Sequence, residues 1–159
     1  VWPAFSILIL IYLSIQGACS GSTTGGLKVD RVLILYKTLK AQLVKLQHPS
    51  SVVQIKVGDR RIESDVILGV ALFASLYLFV IVFGAIVVSA FGLDFTDAIT
   101  SSISMIANIG PAFGSCGSLE NYSHFPGAVR FFFSLQMLFG RLEIYPILVM
   151  FSIFRIRRR

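Results

Sequence analysis

The chain has 159 residues, of which 55% are hydrophobic and 14% charged, with a formal net charge of +6. Its mean hydropathy of +0.81 is too high for a soluble domain of this size, and the apolar residues fall in long blocks, as in a membrane protein. The positive charge does not mark a nucleic-acid binder, because it is gathered in 28–61 and in the tail 155–159.

The first apolar run, 1–16, has no basic region ahead of it and needs no cleavage site, so it reads as the start of the C-terminal piece of a longer chain rather than a signal peptide. It ends in Gly17-Ala18-Cys19-Ser20-Gly21-Ser22-Thr23-Thr24-Gly25-Gly26. Four glycines and four Ser or Thr in ten residues disfavour helix, and the segment carries no charge. A break at membrane depth is expected here, buried in protein or lining an aqueous cavity. Gly17, Gly21 and Gly25 also form two overlapping G-x-x-x-G patterns, the motif of helix contacts, although the clustered hydroxyls favour an unwound segment. A phosphate-binding loop is excluded, since Leu27 separates Gly26 from Lys28 and Val29 follows the lysine.

Residues 27–47 resume a helical pattern, with Val29, Val32, Leu33, Tyr36, Leu39, Leu43 and Leu46 on one stripe and Pro49 ending it. Val53-Gln54-Ile55-Lys56-Val57 alternates and is followed by Gly58-Asp59, which predicts a small hairpin over 53–63. Between Asp65 and Asp94 lie 28 uncharged residues, a helix of about 42 Å that crosses a ~30 Å hydrocarbon core with tilt. Eight Lys/Arg fall between Lys28 and Arg61 and none between Leu93 and Val129. The positive-inside rule therefore places 28–65 and the C-terminus in the cytoplasm and 93–129 outside.

Within the outer region, Phe95 to Met105 predicts a helix of roughly 17 Å, too short to span. Ala107-Asn108-Ile109-Gly110-Pro111-Ala112-Phe113-Gly114 prevents its continuation. A span, a half-helix with an extended return and a second span (129–154) together predict a re-entrant pore loop over about 95–114. Inside the last span stands Gly140-Arg141-Leu142-Glu143. An arginine at the centre of a spanning helix costs at least ~2.5–3.5 kcal/mol, so it normally faces a protein interior or a water path. Arg141 and Glu143 point about 200° apart on a helix and do not pair with one another. Cys19 and Cys116 fall on opposite sides of this topology and, with His48 and His124, form no metal-ligand spacing. No nucleophile–base pair is evident, so an enzyme is not expected.

Three segments, 17–28, Asn108-Ile109-Gly110-Pro111 and Gly140-Arg141-Leu142-Glu143-Ile144-Tyr145-Pro146, resemble the membrane subunit of Trk/Ktr-type potassium transporters. Their order and spacing fit as well, and the resemblance covers essentially the whole chain. It implies an all-helical membrane protein built from helix–pore-loop–helix repeats, four of which surround one pore. Residues 1–47 would hold the inner helix of the third repeat, broken at 17–26, 48–65 a cytoplasmic hairpin and linker, and 66–159 the complete fourth repeat, with spans about 66–92 and 129–154. The resemblance further implies K⁺ as the transported ion, coordinated by backbone carbonyls of Asn108, Ile109 and Gly110 with Pro111 as support. Ala112 departs from the Gly that often follows that Pro. The gate would comprise Arg141 with Gly17, Ser20, Gly21, Ser22, Thr23, Gly25 and Gly26. The implied partners are a cytoplasmic nucleotide-binding regulatory subunit, docking near 28–61 and the 53–63 hairpin, and a second copy of the full-length subunit in a homodimer. The implied location is the plasma membrane of a bacterial or archaeal cell, with no bound cofactor. Two other readings stay open on the residues alone: a secondary transporter of another substrate using the broken helix 17–26, and a structural subunit with a glycine-zipper contact.

Overall fold

The computed structural model describes residues 3–142 apart from 20, 23, 49–53, 59, 118 and 119. The second half of the expected span 129–154, Glu143 and the basic tail lie outside the described residues. The described chain is mostly helical, in the order α1 (Ala4–Gln16), α2 (Val29–Gln47), β1 (Lys56–Val57), β2 (Arg60–Arg61), α3 (Ser64–Ala90), α4 (Phe95–Ile106) and α5 (Gly127–Arg141). A short 3-10 turn, Tyr122–His124, precedes α5.

Helix α1 stops at Gly17, whose φ of +68° is open to glycine, and its N–H closes the helix on the Leu13 carbonyl. None of Gly17, Gly21 and Gly25 is helical, so the G-x-x-x-G reading fails: these glycines do not form a helix-contact face. Helix resumes at Val29 rather than Leu27, after Lys28 at φ +64°. The expected apolar stripe of α2 is left exposed at Val29, Leu33, Tyr36, Leu39, Leu43 and Leu46. The helix meets α3 instead through another face, where the Arg31 guanidinium lies 4.0 Å over the Phe73 ring. The predicted hairpin is present but short, pairing Lys56 with Arg61 and Val57 with Arg60, and Lys37 Nζ ties it to α2 by donating to the Lys56 carbonyl at 2.7 Å.

Helix α3 is long and apolar enough to cross a membrane. Helix α4, at 12 residues, reaches only about 18 Å. It is the centre of the fold, for every residue from Thr100 to Ile106 is buried. On one side Phe73, Tyr77 and Ile81 of α3 enclose Ile103 and Ile106, with Ile11 and Ile15 of α1 against them. On the other, Val88, Ala98, Met105, Ala112, Cys116, Phe125, Val129 and Phe133 form a second cluster joining α3, α4, the following loop and α5.

Where three helices meet, the junction is polar. Ser102 Oγ donates to the Ile81 carbonyl at 2.9 Å and accepts the Gln136 amide of α5 at 2.8 Å. Gly84 of α3 makes room, since an added Cβ would fall 2.8 Å from Gln136 Cδ. In lipid, helices gain little from apolar burial alone, so small residues and shared hydrogen bonds carry much of such packing. Ser102→Ala is expected to destabilise the protein by about 1–2 kcal/mol, because the buried Gln136 amide loses its nearest acceptor. Adding Gln136→Leu should recover part of that loss, as read from thermal unfolding in detergent.

Candidate functional site

The site is built on the C-terminal end of α4. Asn108 takes the left-handed conformation at φ +57°, its N–H bonds to the Met105 carbonyl at 3.1 Å, and the Ile109 N–H reaches the Ser104 carbonyl at 3.0 Å. These two bonds with a left-handed residue between them form a Schellman cap, and asparagine is one of the few non-glycine residues that accept that position. The cap uses the Ser104 and Met105 carbonyls. Among the described residues, the Ile106 carbonyl receives only the long contact of Asn108 Nδ2, 3.4 Å away, at the end of the helix that carries partial negative charge.

From Gly110 the chain runs back beside α4. Ser104 Oγ donates to the Pro111 carbonyl at 2.6 Å, Thr100 Oγ1 accepts the Phe113 N–H at 3.3 Å, and Asp97 accepts the Ser115 N–H at 3.0 Å and its hydroxyl at 2.5 Å. Residues 97, 100 and 104 share one helix face, and the bent return chain brings 111, 113 and 115 to them in turn, forming a polar ladder. Gly114 allows the Asp97 rung, where an added Cβ would strike the carboxylate. Tyr122 completes the fixation by donating its hydroxyl to the Gly110 carbonyl at 2.6 Å. Gly110, at φ +99°, has open space on its Cβ side.

Two further backbones press on the end of α4. An added Cβ at Gly25 would lie 2.5 Å from the Ile106 oxygen and 3.1 Å from the Ala107 oxygen. One at Gly140 would strike the same Ile106 oxygen and fall 2.8 Å from Asn108 Nδ2. The broken segment and the helix that carries Arg141 thus converge on one carbonyl. The segment is itself a closed excursion: Leu27 N–H bonds to the Ile15 carbonyl and Val29 N–H to the Ala18 carbonyl, both at 3.1 Å. Gly17 and Gly26 touch at its neck, where an added Cβ on Gly26 would lie 2.9 Å from the Gly17 Cα. At its tip the Ser22 and Thr24 hydroxyls share a bond of 2.8 Å, and a Cβ added to Gly21, at φ +95°, would meet nothing within 4 Å among the described residues.

Of the residues expected at the site, Asn108, Ile109, Gly110 and Pro111 thus lie together at the capped helix end. Gly25 touches that end directly, and Gly17 and Gly26 hold the neck of the segment. Arg141 is exposed, is the last residue of α5 and follows the buried Gly140. Ser20 and Thr23 lie outside the described residues. Asp97, Thr100, Ser104, Tyr122 and Gly140 were not singled out as site residues from the sequence. The visible signal was a row of polar residues spaced by three and four on a helix too short to span.

Burial, the largest influence, pushes the Tyr122 phenol up to about 12. A raised phenol favours the protonated folded form, so its contribution is complete below its ordinary value near 10 and is lost as pH rises through about 12. Burial likewise pushes the Cys116 thiol up, in keeping with a packing role.

A family model of TrkH, described as a cation transport protein, matches residues 1–156. The Trk system potassium uptake protein TrkH of Escherichia coli strain K12 is 34% identical over 151 residues, covering 95% of this chain and 31% of that protein. TrkI of Halomonas elongata, also a Trk system potassium uptake protein, is 34% identical over 152 residues with the same coverage. The crystal structure of the potassium transporter TrkH from Vibrio parahaemolyticus superimposes with a TM-score of 0.84 at 33% identity, over 94% of this chain and 31% of that one. The chain therefore spans about a third of the length of these relatives.

Gly25→Ala and Gly140→Ala should each cost about 1–3 kcal/mol in thermal unfolding, since the clashing partner is backbone and cannot rotate away. Gly127→Ala, in open space and without a positive φ, should cost less than either. Tyr122→Phe should cost about 1 kcal/mol, a difference that stays constant over roughly pH 6 to 9.

Proposed function

The chain belongs to the TrkH cation transport family, and from that premise we propose that it supplies one filter loop and the intramembrane gate of a K⁺-uptake pore. The observation that carries this reading is the convergence of Gly25 and Gly140 on the Ile106 carbonyl, directly behind the capped loop 108–110.

In this reading α3 and the helix begun by α5 are the two spans, and 95–114 is a re-entrant loop between them. Carbonyls of Asn108 and Ile109 replace part of the hydration shell of K⁺. The Gly110 carbonyl keeps one lone pair on Tyr122 and offers the other. The ladder supports the filter by holding 111–115 against α4, so that the coordinating backbone does not relax when an ion leaves. Residues 17–26 form the movable gate, and Arg141 adds a fixed positive charge near the negative end of α4. At roughly 8 Å and an effective dielectric of ~20, that charge raises the energy of a passing cation by about 2 kcal/mol. Segment 28–65 and the C-terminus face the cytoplasm of a plasma membrane, where a nucleotide-binding regulatory subunit docks, and the full-length subunit works as a homodimer.

The test is Rb⁺ uptake by the full-length protein in cells lacking other K⁺ uptake. Arg141→Ala should raise uptake at least severalfold, with ~30-fold as the ceiling set by the Coulomb estimate. Unchanged uptake and unchanged regulation in Arg141→Ala would remove the gate from this reading. An absence of K⁺-dependent flux in the parent protein would overturn it entirely and favour another substrate.

A further inference from the structure

A cavity of about 420 Å³ opens away from the loop 108–110, between α2, the hairpin and the start of α3. Thr38, Ala41, Gln42 and Lys45 line it from α2, a spacing of three, four and seven that presents one face of the helix. Arg61 brings a second cation from β2, and among the described residues the lining holds no carboxylate. Among the described residues, neither the Lys45 nor the Arg61 side chain carries a hydrogen bond or an ion pair. The opposite wall is apolar, with Ile55, Ile62 and Ile67.

The position adds to the chemistry. Ser64, which lines the cavity, is the first residue of α3, the helix apolar and long enough to span. The preceding Glu63 makes no side-chain cap bond there and Asp65 stands in the first turn, so an anion here would be held by Lys45 and Arg61 rather than by the helix end. Two cations, a helix start and an apolar wall therefore meet where a span would leave the bilayer.

We propose that this cavity binds the phosphate of an anionic phospholipid of the cytoplasmic leaflet, with Lys45 and Arg61 on the headgroup and the isoleucine wall against the glycerol and upper acyl chain. The proposal rests on the reading of α3 as a span with 28–65 on the cytoplasmic side. The apolar wall favours a lipid over free phosphate, which would leave those isoleucines uncovered.

The test uses the full-length transporter reconstituted in vesicles of phosphatidylglycerol and phosphatidylcholine, or of phosphatidylcholine alone, with retained lipid measured by native mass spectrometry. Phosphatidylglycerol should be retained preferentially, and Lys45→Gln and Arg61→Gln should each weaken retention roughly fivefold, the equivalent of about 1 kcal/mol per basic residue. Lys40→Gln, which removes the same charge from α2 outside the lining, should leave it unchanged. Equal retention of the two lipids would overturn the proposal, as would an equal loss in Lys40→Gln. Displacement of the lipid by inorganic phosphate would assign the site to the free anion instead. Rb⁺ uptake measured on the same vesicles separates this outcome from the transport reading, because lipid retention does not require flux.

Discussion

A helix that ends inside an apolar environment must find partners for its last carbonyls, and this requirement at Ile106 organises the molecule. The cap at Asn108 and Ile109 satisfies Ser104 and Met105, but the Ile106 oxygen is left with a long side-chain contact. Close around that oxygen stand two glycines, Gly25 and Gly140, at either of which an added Cβ would strike it. Any side chain at either position would hold the backbones apart. The same geometry that lets α4 end where it does thus brings the broken segment and the arginine-bearing helix to the back of the loop 108–110.

The parts around this point divide by how firmly they are held. The return chain is fixed by three side-chain rungs from one face of α4 and by the Tyr122 hydroxyl, all hydrogen bonds in low-dielectric surroundings. The segment 17–26 is held chiefly at its neck, by the Ile15 and Ala18 carbonyls, while a Cβ added to Gly21 at its tip would meet nothing within 4 Å. Among the described residues, moving the segment would break its neck bonds and the Gly25 contact with Ile106 but leave the ladder whole. That contrast suits a stationary filter and a movable gate.

Much of this architecture was legible in the residues. The break at Gly17, the long α3, the short α4 and the hairpin turn follow from composition, length and turn chemistry, which are local properties. Tertiary pairings were not legible. Asp97, Thr100 and Ser104 show their helical spacing, but nothing local tells that 111, 113 and 115 return to meet them. Gly140 looked like a neighbour of Arg141, whereas its own contact with Ile106 depends on how α5 crosses α4. The α2 stripe misled in a different way: apolar periodicity marks a face that avoids water, and beside a membrane such a face need not turn toward the protein. Exposed leucines on such a face can meet lipid as well as protein.

The central claim is that the segment 17–26 and Arg141 act as one gate on the end of α4. A double-mutant cycle of Gly25→Ala and Arg141→Ala in the full-length protein, read as Rb⁺ flux, tests it most directly. Residues acting on a shared element give coupling energies of about 0.5–3 kcal/mol, whereas independent sites add within ~0.5 kcal/mol. The account predicts strong non-additivity, with the effect of Gly25→Ala largely lost once Arg141 is removed. Additive effects on flux in a properly assembled protein would contradict it.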